Sequence, residues 1–248
     1  MLRACFFLAL LLTAACSGPP SRAGTPTPAA PTPSTLASVT PSLVPAGTVR
    51  YVAIGASDTV GVGASDPTTG SWPARVAKLL PPGSAFVNVG VSGSIAMQAR
   101  AAQLPGAIAQ RPTVVSIWLA VNDMNATIEP ASFASDLGAI VDTLVARTDA
   151  KIFVGNVPDV RSVPAYAEAD KAALFRLIGA YNTVIAGIVA KHPGRVFAVD
   201  LFTGSADLVS TITVSSDGFH PSDAGYQLIA DRFIEAMKAN GVPLTGVR

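Results

Sequence analysis

Histidine, cysteine and charge are all scarce in this chain. Of 248 residues only two are histidine and two cysteine, and 13% are charged. So few potential ligands, none at the usual spacing, exclude a His/Cys metal cluster. The charges nearly cancel at a net +1, and there is no clustered Lys/Arg face of the kind nucleic-acid binding requires. Aromatic residues are only 6% of the total. What the chain has in quantity is aliphatic residues. Half of it is hydrophobic, which excludes disorder for the body of the protein and leaves room for one domain with a substantial core.

The N-terminus reads as an export signal. Arg3 supplies the positive start, Phe6 to Ala15 is a short apolar run, and Thr13-Ala14-Ala15-Cys16 offers a small-residue cleavage site. The run is about half of the ~20 residues needed to span a bilayer, so it predicts a cleaved signal rather than a permanent membrane helix. An apolar run ending in cysteine resembles the lipobox of bacterial lipoproteins, in which the cysteine becomes the lipid-modified first residue of the mature chain. The departure is Thr13, where that family has a large aliphatic residue. An ordinary secretory signal with an incidental cysteine is the other outcome. Cleavage before Cys16 removes Arg3 and Cys5, leaving equal numbers of basic and acidic residues and one cysteine. Such a chain has no internal disulfide to rely on.

The organisation predicted is a signal peptide at 1–15, a lipidated Cys16 with a linker through 47, and a folded domain over 48–248. The linker is rich in Pro and Thr, as in Thr25-Pro26-Thr27-Pro28, and reads as an extended tether. Beyond it, short β-branched runs alternate with helical patterns. Strands are predicted at 49–54, 85–89, 114–119, 152–154 and 196–199. Helical spacing of apolar residues appears from Phe133 to Val145, Leu174 to Ile188 and Tyr226 to Met237. Alternation of this kind implies an α/β fold with a parallel sheet covered on both faces. Ligands bind such sheets at the carboxyl ends of the strands.

Several polar and glycine signals map to that one edge. Ser57 follows the first strand in Gly55-Ala56-Ser57-Asp58-Thr59, Gly93 follows the second and Asn122-Asp123 follows the third. Asp217 and His220 lie in the segment after the fifth. A serine hydroxyl becomes a useful nucleophile when a base takes its proton and a carboxylate orients that base. Ser57, His220 and Asp217 supply those parts. The bland alternatives are that Ser57 caps a helix or turn, and that His220 is a surface residue in the turn before the last helix, with Pro221 at its first position. The other histidine, His192, precedes Pro193-Gly194 at a helix end and reads as structural.

Together these residues resemble the SGNH hydrolases, also called GDSL-type esterases. That family carries a serine after the first strand, a glycine after the second, an Asn in G-x-N-D after the third and D-x-x-H near the C-terminus. The resemblance covers residues 49 to about 238. It implies a three-layer αβα sandwich with a five-stranded parallel sheet of flavodoxin-like order. It also implies ester hydrolysis by a Ser57, His220, Asp217 triad without metal or organic cofactor. The oxyanion would be held by the backbone N–H groups of Ser57 and Gly93 and the Asn122 side chain. There are two departures. Gly-Asp-Ser reads Gly55-Ala56-Ser57, with the acid displaced to Asp58, which would hold the nucleophile loop in its stead. The glycine of G-x-N-D is Ala120, which would tighten the pocket beside Asn122.

The remaining polar and aromatic residues have structural readings. Asp200 is expected to hold a turn or cap, Asp123 to hold its own loop, and Trp72 and Trp118 to pack in the core. The loops 157–166 and 201–216 are expected to shape the substrate pocket. The expected substrate is a small-molecule or glycan ester. Membrane contact is expected through the lipid anchor only, no nucleic acid is involved, and the protein is expected to be a monomer. Two alternatives remain: an O-deacetylase or acyl-hydrolase of cell-envelope polysaccharide, and a non-catalytic binding lipoprotein on the same fold.

Overall fold

The computed structural model describes residues 47–209 and 212–246. The signal, Cys16 and the linker before Gly47 lie outside the described residues. Five parallel strands form the sheet: β1 (Arg50–Gly55), β2 (Ala85–Asn88), β3 (Val114–Trp118), β4 (Lys151–Gly155) and β5 (Val196–Val199), in the order β2-β1-β3-β4-β5. The predicted strand positions hold, with ends shifted by a residue or two.

Every strand is short and apolar, and successive residues point to opposite faces. Val52, Ile54, Val115, Ile117, Ile152 and Val154 enter one core. Tyr51, Ala53, Val114 and Phe153 enter the other. Helices cover both faces because the sheet has no polar side to show to water. In chain order the helices that matter are α1 (Ser57–Val60), α2 (Trp72–Ala77), α3 (Leu104–Ala109), α4 (Val121–Asn125), α5 (Pro130–Arg147), α6 (Lys171–Ala190) and α7 (Asp223–Ala239). α5 packs Phe133, Leu137, Ile140, Val141 and Leu144 on the first face, next to Leu174, Ile178, Tyr181, Ile185 and Ile188 of α6. On the second face Trp72 of α2 stacks on Phe233 of α7 at 4.1 Å. The result is the three-layer αβα sandwich that the alternating pattern implies. α6 is long and apolar enough to cross a membrane by composition, but one face of it is built into this core and its exposed positions are largely alanine and glycine.

Strand order reverses at β1, whose neighbours are β2 and β3, and a crevice opens at such a switch point. The register places specific residues there. Gly55 pairs with Trp118, so Ser57 and Ala120 each stand two residues beyond the paired ends of adjacent strands. Pairing also runs past the end of β2, where Val89 donates to the Ala53 carbonyl and Val91 to that of Gly55. Gly93 therefore lies just beyond the same edge. Close approach at this edge leaves no space for a side chain on Gly55, where a Cβ would meet Thr59 Oγ1 at 2.0 Å and the Trp118 carbonyl oxygen at 2.7 Å.

Candidate active site

Ser57 opens α1 and is 7% exposed. It is not a cap: the cap position is Ala56, and no side chain caps this helix. The Ser57 hydroxyl has no hydrogen-bond partner among the described residues. The loop that carries it is clamped from behind by Gln103, whose Nε2 donates to the Gly55 carbonyl at 2.9 Å and whose Oε1 accepts from the Gly55 N–H at 3.0 Å. The same Nε2 donates to Ser94 Oγ at 3.1 Å, which ties the loops after β1 and β2 together. Gln103 is 2% exposed and ends a π-helical turn, Ala99–Gln103. Its signal in the sequence is a polar residue at the spacing of a buried apolar stripe, since Ala96, Ala99 and Ala107 share that stripe. Asn88 adds a second tie, donating from Nδ2 to the Thr59 carbonyl at 2.6 Å. Asp58 does not take over the role of the displaced acid. Its carboxylate receives a hydrogen bond only from its own backbone N–H, so the loop is held by Gln103 and Asn88.

His220 and Asp217 stand on a small hairpin. Val214 bridges Pro221 antiparallel, and the Ser215 N–H donates to the His220 carbonyl at 2.8 Å. At its turn Asp217 Oδ1 accepts from Ser215 Oγ, the Phe219 N–H and the His220 N–H at 2.7, 2.8 and 2.9 Å. Its other oxygen, Oδ2, lies 2.6 Å from His220 Nδ1. A carboxylate only accepts, so Nδ1 carries the proton and Nε2 is left as the acceptor, the tautomer a general base needs. Burial opposes ionisation of Asp217, but the hydrogen bonds from His220, Phe219 and Ser215 outweigh it and hold the carboxyl well below its usual range. The last helix begins at Asp223 with Ser222 as its cap, so Pro221 stands before the helix rather than at its first position.

The hairpin faces the Ser57 loop. A Cβ on Gly63, just past α1, would lie 3.0 Å from His220 Cβ and 2.6 Å from the Pro221 carbonyl oxygen. Tyr226 Oη of α7 donates to the Val62 carbonyl at 2.5 Å. The fields of His220 and Asp217 both reach Asp58, the residue after the serine.

Asn122 stands at the second position of α4 and lines a hollow together with Ala56 and Asp58, the neighbours of Ser57. Its Nδ2 donates to the Ser94 carbonyl at 3.1 Å, which fixes the amide and leaves its second N–H free to donate. The preceding Ala120 adopts φ +94°, a left-handed conformation that a glycine would take without strain. Asp123 is 1% exposed and accepts from the Ala96 N–H at 3.0 and 3.2 Å. It therefore holds a loop 27 residues away in sequence, not only its own. Burial pushes its carboxyl up to about 6. Gly93 has φ +79° with open space around it.

Two hollows adjoin these groups. A small one of about 10 Å³ is lined by residues including Ala56, Ser94, Ala120 and Asn122. A larger one of about 130 Å³ is mostly apolar, with walls that include Trp118, Val163, Tyr166, Leu201 and Phe219. Both expected pocket loops contribute, and they are tied together where the Asp159 N–H donates to Ser205 Oγ at 2.8 Å. Asp58 borders both hollows. Trp72 is fully buried as expected, whereas Trp118 is both core and cavity wall. Asp200 holds a turn by accepting from the Phe202 and Thr203 N–H groups. His192 is bound elsewhere: its Nε2 lies 2.7 Å from Asp142 Oδ1, at the amino ends of the strands.

The family profile of GDSL-like lipases and acylhydrolases matches residues 53–228, from β1 into the last helix. The chain belongs to this family. Solved structures of esterases and a lipase share its fold. An acetylxylan esterase from Geobacillus stearothermophilus, in the form of a catalytic mutant, superposes with TM-score 0.63 at 21% identity, over 82% of this chain and 99% of that one. The family 3 carbohydrate esterase of Clostridium thermocellum gives 0.58 at 21% identity, over 77% and 96%. A lipase from a goat rumen metagenome gives 0.60 at 18% identity, over 79% and 98%. No curated protein matches at the level of sequence. At these identities the structural likeness speaks for the fold, and the family match identifies a GDSL-like hydrolase that acts on esters.

Proposed function

We propose that the protein is an exported serine esterase in which Ser57 attacks the ester carbonyl. His220 takes the serine proton and returns it to the leaving alcohol, while Asp217 holds the imidazole and stabilises its charged form. The Ser57 and Gly93 N–H groups and the free Asn122 N–H donate to the oxyanion. The observation that carries this reading is the 2.6 Å contact of His220 Nδ1 with Asp217 Oδ2, on a hairpin packed against the loop of an unpartnered serine. The contact between serine and imidazole is left to the substrate-bound enzyme, since catalytic hydrogen bonds in empty sites are often long. The small hollow beside Asn122 is about 10 Å³, close to the space one water-sized oxygen needs.

The larger, apolar cavity supports an acyl chain longer than acetyl as the preferred substrate and disfavours a bare glycan in that position. The N-terminal run and Cys16 support export and attachment through a lipid, with residues up to 47 as the spacer. The test is a panel of para-nitrophenyl esters of increasing chain length on wild type and Ser57→Ala, together with labelling by a fluorophosphonate. We expect turnover to peak above acetate, and Ser57→Ala to lose both turnover and label. Ester turnover unchanged in Ser57→Ala would remove Ser57 from the mechanism.

A further inference from the structure

Asp58 has no place in the machinery above, yet it occupies the position next to the nucleophile. It neither caps α1 nor holds the loop. Among the described residues no Lys or Arg forms an ion pair with it and no other residue donates to its carboxylate. It is half-buried and lies on the wall shared by the two hollows, the small one beside Asn122 and the large apolar one. An acyl chain that ran from an ester at Ser57 into the large cavity would meet Asp58, the next residue, at the cavity wall.

A carboxylate whose only donor is its own backbone N–H is under-satisfied in apolar surroundings, and a ligand that brings a further donor reduces that cost. Chemistry narrows the choice of donor. Arg232 lines the same cavity, so a cationic chain would meet a like charge, whereas a neutral hydroxyl would not. The groups facing Asp58 are His220 and Asp217 from the dyad hairpin, Tyr226 from α7, and Tyr166 from the loop after β4. Both tyrosine hydroxyls are already committed, to the Val62 carbonyl and to Asn125 Oδ1.

We propose that Asp58 is a specificity residue whose carboxylate accepts a hydrogen bond from a hydroxyl on the acyl chain near the ester carbon, so that the enzyme favours hydroxyacyl esters over plain acyl esters. This rests on the esterase reading and adds to it. Burial raises the Asp58 carboxyl to about 6 against the lowering field of His220. The preference should therefore grow as pH rises through that value, because an ionised carboxylate is the stronger acceptor.

The experiment compares wild type, Asp58→Asn and Asp58→Leu on two matched pairs. The acyl-side pair is para-nitrophenyl butyrate and para-nitrophenyl beta-hydroxybutyrate. The alcohol-side pair is ethyl butyrate and glycol monobutyrate. We expect Asp58→Leu to lower the hydroxylated-to-plain ratio of kcat/KM on the acyl side roughly ten- to hundred-fold, raising the plain ester and lowering the hydroxylated one. Asp58→Asn keeps an acceptor and should fall between, with a ratio that no longer changes with pH. If Asp58→Leu does not fold, the pH response of Asp58→Asn decides. An acyl-side ratio equal in all three proteins, or discrimination confined to the alcohol side, overturns the proposal. Ser57→Ala in the same assay separates the two readings. Turnover that depends on Ser57 with an unmoved ratio sinks the Asp58 role alone. Turnover indifferent to Ser57 sinks the esterase itself.

Discussion

The molecule contains the same pair twice. His220 lies 2.6 Å from Asp217, and His192 lies 2.7 Å from Asp142. Their histidine side chains are similarly covered, at 16% and 22% exposed. By distance alone either could be a catalytic dyad. The difference is in what surrounds them. His192 follows the end of α6 at the amino ends of the strands, where it meets a carboxylate on α5 and little else with chemistry. His220 sits at the carboxyl edge, where the register of β1 and β3 places Ser57 and the fixed amide of Asn122 just past adjacent strand ends. Asp217 is also locked by three further hydrogen bonds, whereas Asp142 is 58% exposed. A histidine–carboxylate pair is thus common furniture, and position on the sheet turns one of the two into a candidate base.

The comparison can be broken most decisively by disabling each pair in turn. His220→Ala and Asp217→Asn should each lower kcat/KM by roughly 10⁴. His192→Ala and Asp142→Asn should leave it within about two-fold and cost at most ~1 kcal/mol of stability, as exposed pairs do. Equal effects from the two pairs would end the assignment. Asn122→Ala should cost about 10²–10³ in kcat with little change in KM if its amide serves the oxyanion, and steady-state kinetics on one short ester measures it.

Gln103→Leu strands the buried N–H of Gly55, while the Gly55 carbonyl keeps the Val91 N–H, at a cost of roughly 1–3 kcal/mol. A Tm drop on the order of 2–12 °C should follow by calorimetry. Ala120→Gly should move Tm the other way. Relief of the φ +94° strain, of order 1–3 kcal/mol, exceeds the added chain entropy of roughly 0.4–1 kcal/mol.

The smallest effect is in the pH dependence of stability. Asp58 and Asp123 are both pushed up to about 6 by burial, so the folded protein binds their protons more tightly than the unfolded chain does. The stability this confers is present below the unfolded carboxylate value of ~3.9 and is lost as pH rises through the folded values. Asp217 is depressed, so its contribution is present above that unfolded value and lost only as pH falls through the folded one. Thermal melts should therefore show Tm falling between about pH 4 and 6, and the double variant Asp58→Asn, Asp123→Asn should flatten that slope.

Much of this architecture could be read before any coordinates. Strand positions followed from short aliphatic runs such as Val114 to Trp118, because a strand buried on both faces leaves no alternation to confuse the reading. α5, α6 and α7 followed from helical spacing. Ser57, Gly93, Asn122, Asp217 and His220 could be gathered at one edge because the connectivity of a parallel sheet sends every post-strand loop there. What resisted was anything decided by side-chain packing. Gln103 looks like one more residue of an alanine-rich helix until its amide is seen to bracket Gly55. Asp58 reads as a displaced loop holder by proximity in sequence, whereas its carboxylate lies at the wall of two cavities. Asp123 reads as local, but it reaches Ala96. In each case the partner lies far along the chain or is a space rather than a residue, and neither leaves a periodic trace.

In chain order Ser57 follows the first strand of the sheet, whereas the hairpin bearing Asp217 and His220 comes after the fifth. A ribosome thus delivers the hydroxyl well before its proposed activator. On that mechanism the nascent polypeptide holds an ordinary, unreactive serine until the hairpin is made and docked. Order of synthesis alone would keep a triad divided in this way silent until the sheet is complete.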